Sequence, residues 1–228
     1  MAKILNIETS TTVCSIAIGV NGKAVAVNEI NDGYSHAEEI QGLIEKSLAE
    51  SGLKITDLDA ISVSKGPGSY TGLRIGVSLA KGLCFGLEIP LISVPTLEAM
   101  AAHPSVLMHK NALRVPMLDA RRMEVYSCVL DAENKVISET EAVVLEDDSY
   151  LPFLRNNEVV FFGPGMSKCK EKFSRHSGAI FEDEIMPSAR QMVSLSEQKL
   201  QDNRIENVAY FEPFYLKDFV AGKPKKLL

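Results

Sequence analysis

The opening of the sequence constrains the fold most, because it has the pattern of three consecutive antiparallel strands. Residues 3–7 form an apolar run and residues 13–20 are rich in β-branched side chains. Asn21-Gly22, a favoured hairpin turn, then leads into a third strand over residues 23–30. A polar turn that begins at Glu8 joins the first two strands. We therefore expect the chain to start as a three-stranded meander.

Helices and strands alternate after the meander. Ser35 and Glu38 form a capping box at the start of a helix over residues 35–51, which ends before Gly52. Ile40, Leu43 and Ile44 belong to its apolar stripe. The pattern then predicts the following order: a strand at 60–64, a helix at 69–87, a strand at 91–94, and a short helix from 96 to about 103.

The second half of the chain repeats the opening. Residues 114–118 are apolar, a polar turn begins at Asp119, and strands follow at 123–130 and 136–144. Glu8 and Asp119 thus end equivalent strands. Chance could produce such a weak similarity, but duplication of a βββαβα unit explains it better. We expect two lobes facing a cleft, at residues 1–104 and 105–228. The second lobe should be smaller, degenerate and closed by the C-terminal tail.

Charge and cysteine content exclude several classes of protein. The net charge of −6 and pI of about 5.3 argue against a protein that grips nucleic acid alone. The one dense basic cluster, at residues 223–226, is a solvated tail or a contact for an acidic partner. The four cysteines are far apart, which favours buried reduced thiols. No apolar stretch is long enough to span a bilayer, so we expect a cytoplasmic protein with no membrane contact.

Motifs for catalysis are mostly missing from the sequence. It contains no nucleophile elbow, no pair of histidines spaced for a metal, and no phosphate-binding P-loop. What remains is the carboxylate pair Glu8 and Asp119. These side chains could orient a magnesium ion or a water beside nucleotide phosphates. Alternatively, each carboxylate satisfies the amides of its own turn.

A glycine-rich helix follows the strand at 60–64. In SKGPGSYTGLRIGVSLAKGL, the small residues Gly72, Gly76 and Ala80 lie on one helix face, beside an apolar stripe that includes Leu73 and Val77. Glycine inside a helix costs up to about 1 kcal/mol relative to alanine, so the pattern requires a reason. The flat face admits either the protein's own sheet or a second chain.

Several segments together resemble one known family. They are ILNIETSTTVCSIAI, SHAEEI, SKGPGSYTGLRIGVSLAKGLCFGLEIPLISVPTLEAMA and LDARRMEVY, and FEPFYLKD is similar to the family's closing signature. The sequence resembles the TsaB (YeaZ) family over about residues 3 to 130, and more loosely afterwards. The resemblance implies an α/β protein with the duplicated actin-like ATPase (ribonuclease H-like) fold.

The resemblance also implies a role as a partner. Members bind the threonylcarbamoyltransferase TsaD through their first two helices, and TsaE, an ATPase, joins the complex, which modifies the adenosine next to the tRNA anticodon. We therefore expect a noncatalytic dimerisation subunit that meets tRNA only through the complex and forms a homodimer when alone. The expected partner interface consists of Ile40, Leu43, Ile44, Gly72, Leu73, Gly76, Val77 and Ala80.

The same resemblance argues against a metal site. Where TsaD carries two metal-binding histidines, this sequence has Thr96 and Met100, and a thioether does not replace imidazole on a hard cation. Glu8 stands where the family usually has aspartate. We therefore expect no metal, no catalytic residue and no cofactor, with at most a vestigial nucleotide cleft at Glu8 and Asp119. The alternative is a stand-alone M22-type glycoprotease-like metallopeptidase or an ATP-dependent transferase.

Overall fold

A computed structural model describes residues 2–33 and 36–217, and its first half contains a five-stranded mixed sheet. Its strands are β1 (Lys3–Glu8), β2 (Cys14–Val20), β3 (Lys23–Ile30), β4 (Ala60–Gly66) and β5 (Leu91–Pro95). They lie in the order β3-β2-β1-β4-β5. β1 pairs antiparallel with β2 and parallel with β4. The predicted opening meander is therefore confirmed.

A second five-stranded sheet follows in the chain. Its strands are β6 (Leu113–Asp119), β7 (Glu124–Leu130), β8 (Val136–Val144), β9 (Val159–Phe162) and β10 (Ala179–Glu182). The order β8-β7-β6-β9-β10 reproduces that of the first sheet strand for strand. The parallel and antiparallel pairings match as well. The duplication predicted from the repeated strand and turn is visible in this topology.

The connecting helices differ in length between the two halves. They are α1 (His36–Ser51), α2 (Tyr70–Leu87), α3 (Thr96–Ala101), α4 (Pro104–Leu107), α5 (Leu151–Leu154), α6 (Ser167–Phe173) and α7 (Ala189–Gln201). α1 and α2 contain 16 and 18 residues, whereas their counterparts α5 and α6 contain 4 and 7. The second half thus keeps the strand order with much shorter crossovers. The predicted cap at residue 35 lies outside the described residues.

Two helices cross from one half to the other. α3, which follows the first sheet, packs on β6 of the second sheet, and α7 packs on β1 and β2 of the first. Val193 of α7 packs so closely on β2 that a Cβ at Gly19 would lie 2.8 Å from it. The two sheets therefore share packing layers, and the predicted division at residue 104 stays a prediction.

Apolar side chains fill a separate core for each sheet. α1 and α2 cover one face of the first sheet, where Ile7, Ile16 and Val63 are fully buried. In the second core, Phe161 and Phe173 stack with ring centroids 5.6 Å apart.

All four cysteines are buried, as predicted, and burial raises the pKa of each thiol. Within residues 2–33 and 36–217, no helix is long and apolar enough to cross a membrane.

Candidate functional site at the carboxyl edges of the sheets

The candidate site lies where β1 and β6 end. In open α/β sheets, ligands bind outside the carboxyl ends of the strands. Glu8 is the last residue of β1 and Asp119 is the last residue of β6. The strand order gives these two residues equivalent places in the two sheets. Their surroundings, however, are very different.

Glu8 is fully buried. Its Oε1 accepts a hydrogen bond from the backbone N–H of Ser10 at 2.6 Å, whereas Oε2 has no partner among the described residues. Burial raises the pKa of this carboxyl above its usual value, an effect that Ser10 partly offsets. Burial disfavours the ionised form of a carboxyl, which is the form that binds a cation.

Asp119 is half exposed and forms an ion pair. Its Oδ1 accepts from the backbone N–H of Arg121 and from Lys168 Nζ, both at 2.6 Å. Glu8 and Asp119 therefore make the same contact, with the amide two residues on, as the turn-capping alternative predicts. No group of three metal-ligating side chains occurs in the part of the chain that the structure describes. A role for the pair beside a nucleotide stays a prediction.

Two buried residues, Thr96 and Met100, pack within this chain. They are the residues that stand where the resemblance places the two metal-binding histidines of TsaD. Thr96 is buried, and its hydroxyl shares a hydrogen bond of 2.6 Å with that of Ser64. Met100 is buried in the core between α3 and the second sheet. A Cβ added to Gly163 would lie 2.5 Å from Met100 Cε. The side chains of Thr96 and Met100 thus both pack against other parts of this chain.

Two glycines of α2, Gly72 and Gly76, pack directly against the turn between β1 and β2. A Cβ at Gly72 would lie 2.1 Å from the carbonyl oxygen of Thr9, and one at Gly76 would lie 2.3 Å from Thr9 Oγ1. Thr9 Oγ1 donates to the carbonyl oxygen of Gly72 at 2.8 Å, and the N–H of Ser69 donates to the carbonyl oxygen of Ser10 at 2.7 Å. The absence of a side chain at these glycines therefore leaves room for the turn between β1 and β2 to pack against α2.

A second glycine turn repeats this arrangement, and this repeat was not among the sequence predictions. Gly66-Pro67-Gly68 begins at the last residue of β4, and Gly163-Pro164-Gly165 follows β9, the equivalent strand. Both turns start at a positive φ, which favours glycine. A Cβ at Gly165 would lie 2.9 Å from the carbonyl oxygen of Leu118, much as one at Gly68 would meet Ser10. The repeated Gly-Pro-Gly was a readable signal of the duplication.

The residues predicted to contact a second chain require a correction. Ile40, Leu43, Ile44, Gly72, Leu73, Gly76, Val77 and Ala80 are all buried within this chain. The apolar stripes of α1 and α2 face the first sheet, because a helix on a sheet buries its most apolar face. These eight residues are therefore buried within the folded chain, and the faces that α1 and α2 expose consist of other residues.

A different face of α2 is exposed. Thr71, Arg74, Ser78 and Gly82 lie on it, and Phe85 is 83% exposed. Among the described residues, no atom comes within 4 Å of the position that a Cβ would take at Gly82. The face carries polar or small side chains and one large exposed aromatic ring. We call this surface the outer face of α2.

The C-terminal segment forms a groove with the outer face of α2. Lys81 Nζ donates to the carbonyl oxygens of Ala209 and Phe211, at 3.2 and 2.9 Å, and holds the segment beside the helix. This segment therefore packs on α2, in the first half of the chain. A shallow depression of about 590 Å³ lies between Phe85 and residues 207–209.

Comparisons with known proteins agree with this geometry. The family model described as "TsaD: tRNA N6-adenosine threonylcarbamoyltransferase" matches residues 33–225. The tRNA threonylcarbamoyladenosine biosynthesis protein TsaB of Escherichia coli (strain K12) is 32% identical, over 97% of each chain. Its counterpart from Haemophilus influenzae is 29% identical, over 96% of this chain and 95% of the relative. The solved YeaZ from Pseudomonas aeruginosa has a TM-score of 0.79 at 24% identity, and covers 95% of this chain and 100% of that one.

The two sheets of like strand order, linked by crossing helices, define a protein of the duplicated actin-like ATPase fold. Sequence relatives over almost the whole length narrow this class further. The chain belongs to the TsaB (YeaZ) family of tRNA threonylcarbamoyladenosine biosynthesis proteins, within the wider group that the threonylcarbamoyltransferase model describes.

Proposed function

We propose that this chain is a noncatalytic subunit of the tRNA threonylcarbamoyladenosine complex, and that it docks on TsaD through the outer face of α2. The observation that carries the proposal is the contrast between the two surfaces. Near the strand ends, the carboxyl of Glu8 is buried, and Thr96 and Met100 pack within the chain. By contrast, α2 presents an exposed Phe85 beside small residues. The chemistry would then belong to the partner.

The shape of the outer face favours a helix as its counterpart. Helices pack at interaxial distances of about 8–10 Å, and small residues allow the closer approaches. Ser78 and Gly82, one turn apart, leave a shallow channel on α2. Phe85 stands at the end of this channel and is the natural anchor, because aromatic rings dominate the binding energy of interfaces. The same face would support a homodimer when TsaD is absent.

The negative charge of this chain supports a role in which it does not bind tRNA itself. The chain carries a net charge of −6, and the exposed side of α1 presents Glu38, Glu45 and Glu50. A surface of this sign repels the phosphate backbone, so tRNA contact falls to the other subunits. TsaE would join the assembly through the TsaD–TsaB pair. No cofactor is needed by this chain in the proposed role.

Docking can be tested with a substitution that blocks the outer face without disturbing the fold. Gly82→Leu places a large side chain where the structure leaves open space, and leucine has the better helix propensity. The matched control is Ser194→Leu, at an exposed position of α7. We expect Gly82→Leu to weaken binding to TsaD at least tenfold in calorimetry or sedimentation, and Ser194→Leu to bind normally. Equal affinity for both variants would refute docking through α2.

A further inference from the structure

The turn between β6 and β7 differs from its counterpart in the first sheet. The turn between β1 and β2 packs against α2, and its residues Thr9 and Ser10 are buried. α6, the counterpart of α2, contains only 7 residues. The turn between β6 and β7 is exposed at Arg121, Arg122 and Met123. The duplicated fold therefore presents this second turn to solvent, at the carboxyl end of β6.

The backbone of this turn does not suit the residues that form it. Arg121 has a φ of 70° and Arg122 has a φ of 49°. Residues with a Cβ are unfavourable at positive φ, and Asn-Gly is the favoured pair where two consecutive residues adopt it. The hairpin between β2 and β3 has this pair, Asn21-Gly22, with φ values of 52° and 71°. Two arginines in such a conformation oppose the backbone preference, which indicates a use for their side chains.

The carboxylates at the two ends of the turn already have partners. Lys168 Nζ donates to Asp119 Oδ1 at 2.6 Å and to the carbonyl oxygen of Glu124 at 2.9 Å, and so braces the turn from both sides. The Glu124 carboxylate forms an ion pair with Lys217. Neither arginine of the turn forms an ion pair with any residue that the structure describes. Two uncompensated positive charges are therefore held on a braced turn.

Exposed apolar side chains lie beside the two arginines. Met123 is 48% exposed, and Val144, which pairs with Glu124 across the strands, is 59% exposed. Arginine and methionine are enriched at protein interfaces, and a planar guanidinium binds a carboxylate through two parallel hydrogen bonds. We call Arg121, Arg122, Met123 and Val144 together the arginine turn.

The surroundings of the arginine turn favour an acidic protein segment over a nucleic acid. A phosphate backbone is a long polyanion, and its binding requires many cations. The acidic run Glu146-Asp147-Asp148 comes directly after Leu145, whose N–H donates to the carbonyl oxygen of Met123 at 2.8 Å. A long polyanion would meet this run. A short segment with two carboxylates and an aliphatic side chain instead complements the two arginines and their apolar neighbours.

We propose that the arginine turn is a second docking surface, which binds an acidic segment of a protein partner. Each guanidinium donates two hydrogen bonds to a carboxylate of that segment, and Met123 and Val144 contact its aliphatic side chains. The proposal does not depend on docking through the outer face of α2, since the arginine turn belongs to the second sheet.

The test uses two probes of equal charge, the peptide acetyl-Leu-Glu-Glu-Leu-Glu-Glu-amide and a uridine pentanucleotide without terminal phosphates. Each probe is titrated into isotope-labelled protein, and NMR follows the side-chain and backbone signals of the arginines. The variant Arg121→Asn/Arg122→Gly gives the turn the favoured hairpin pair. The matched control, Arg155→Ser/Arg175→Ser, removes the same charge from two exposed positions of the second half.

We expect the peptide to shift the signals of Arg121 and Arg122 at a concentration about tenfold below that required for the pentanucleotide. Arg121→Asn/Arg122→Gly should lose this binding and melt no lower than the wild type, whereas Arg155→Ser/Arg175→Ser should keep it.

Peptide binding that survives in Arg121→Asn/Arg122→Gly, or that shifts Arg155 and Arg175 equally, would overturn the proposal. A lower melting temperature of Arg121→Asn/Arg122→Gly would also overturn it, because the arginines would then support the fold. Equal or tighter binding of the pentanucleotide would assign the turn to a nucleic acid instead.

Discussion

Two glycines in the same helix should respond in opposite ways to the same substitution. Gly76 faces the turn between β1 and β2, where a Cβ would lie 2.3 Å from Thr9 Oγ1 and 3.6 Å from Ile7 Cγ2. Gly82 faces open space among the described residues. Alanine stabilises either position by up to about 1 kcal/mol through helix propensity. Packing then decides the sign of the total effect at each position.

At Gly76 the packing cost is larger than the gain. Overfilling a packed site costs about 1–3 kcal/mol, and disturbing the hydrogen bond from Thr9 to Gly72 costs about 1 kcal/mol more. We therefore expect Gly76→Ala to lower the free energy of unfolding by about 1–3 kcal/mol, and Gly82→Ala to raise it by up to about 1 kcal/mol. For a chain of this length, 1 kcal/mol shifts the melting temperature by about 2–4 °C.

Urea unfolding followed by circular dichroism measures both variants under the same conditions. The dependence of unfolding free energy on urea should stay the same, so that the midpoints report stability alone. If both variants shift the midpoint in the same direction by the same amount, the two faces of α2 are not distinguished by packing. The assignment of Gly76 to the interior and Gly82 to the outer face would then be wrong.

Three further outcomes follow from the site. The folded-state pKa of Glu8 is raised, so wild-type stability is lost as pH rises from about 4.5 through the folded pKa. The free energy of unfolding of Glu8→Gln, relative to the wild type, should therefore rise between pH 4.5 and 7 when measured by urea unfolding. A difference between the two proteins that does not change with pH would contradict this. Asp119→Asn should cost at most about 1 kcal/mol, because the Asp119 side chain is half exposed; a larger loss in thermal melting would contradict this. Phe85→Ser should weaken TsaD binding in calorimetry without lowering the melting temperature, and undiminished affinity would count against docking.

Periodicity made most of the fold predictable. Alternating and β-branched runs located β1 to β3 and β6 to β8, and the apolar stripes located α1 and α2 with ends within a few residues. β10 and α5 contain only four residues each, so neither has a clear period. Their short length leaves too little pattern to recognise from sequence.

The candidate site was harder to predict, since one residue pattern served two purposes. From the sequence, Gly72 and Gly76 could pack against a second chain or the protein's own sheet, and in the structure Thr9 of the turn between β1 and β2 lies against them. The outer face escaped notice because Ser78 and Gly82 have no apolar signature. Phe85, an aromatic residue outside the buried stripe of α2, was the available clue. Equivalent sequence positions also concealed that Glu8 is buried and Asp119 half exposed.

The central claim, that this chain supports tRNA modification by docking rather than by chemistry, is tested most directly by a reconstituted reaction. TsaD, TsaE, tRNA and threonylcarbamoyl-adenylate are combined with each variant, and modified adenosine is measured. We predict wild-type rates with Glu8→Gln and Asp119→Asn, and a rate near that of the subunit-free reaction with Gly82→Leu. Loss of modification in the two carboxylate variants, with normal rates for Gly82→Leu, would contradict the account.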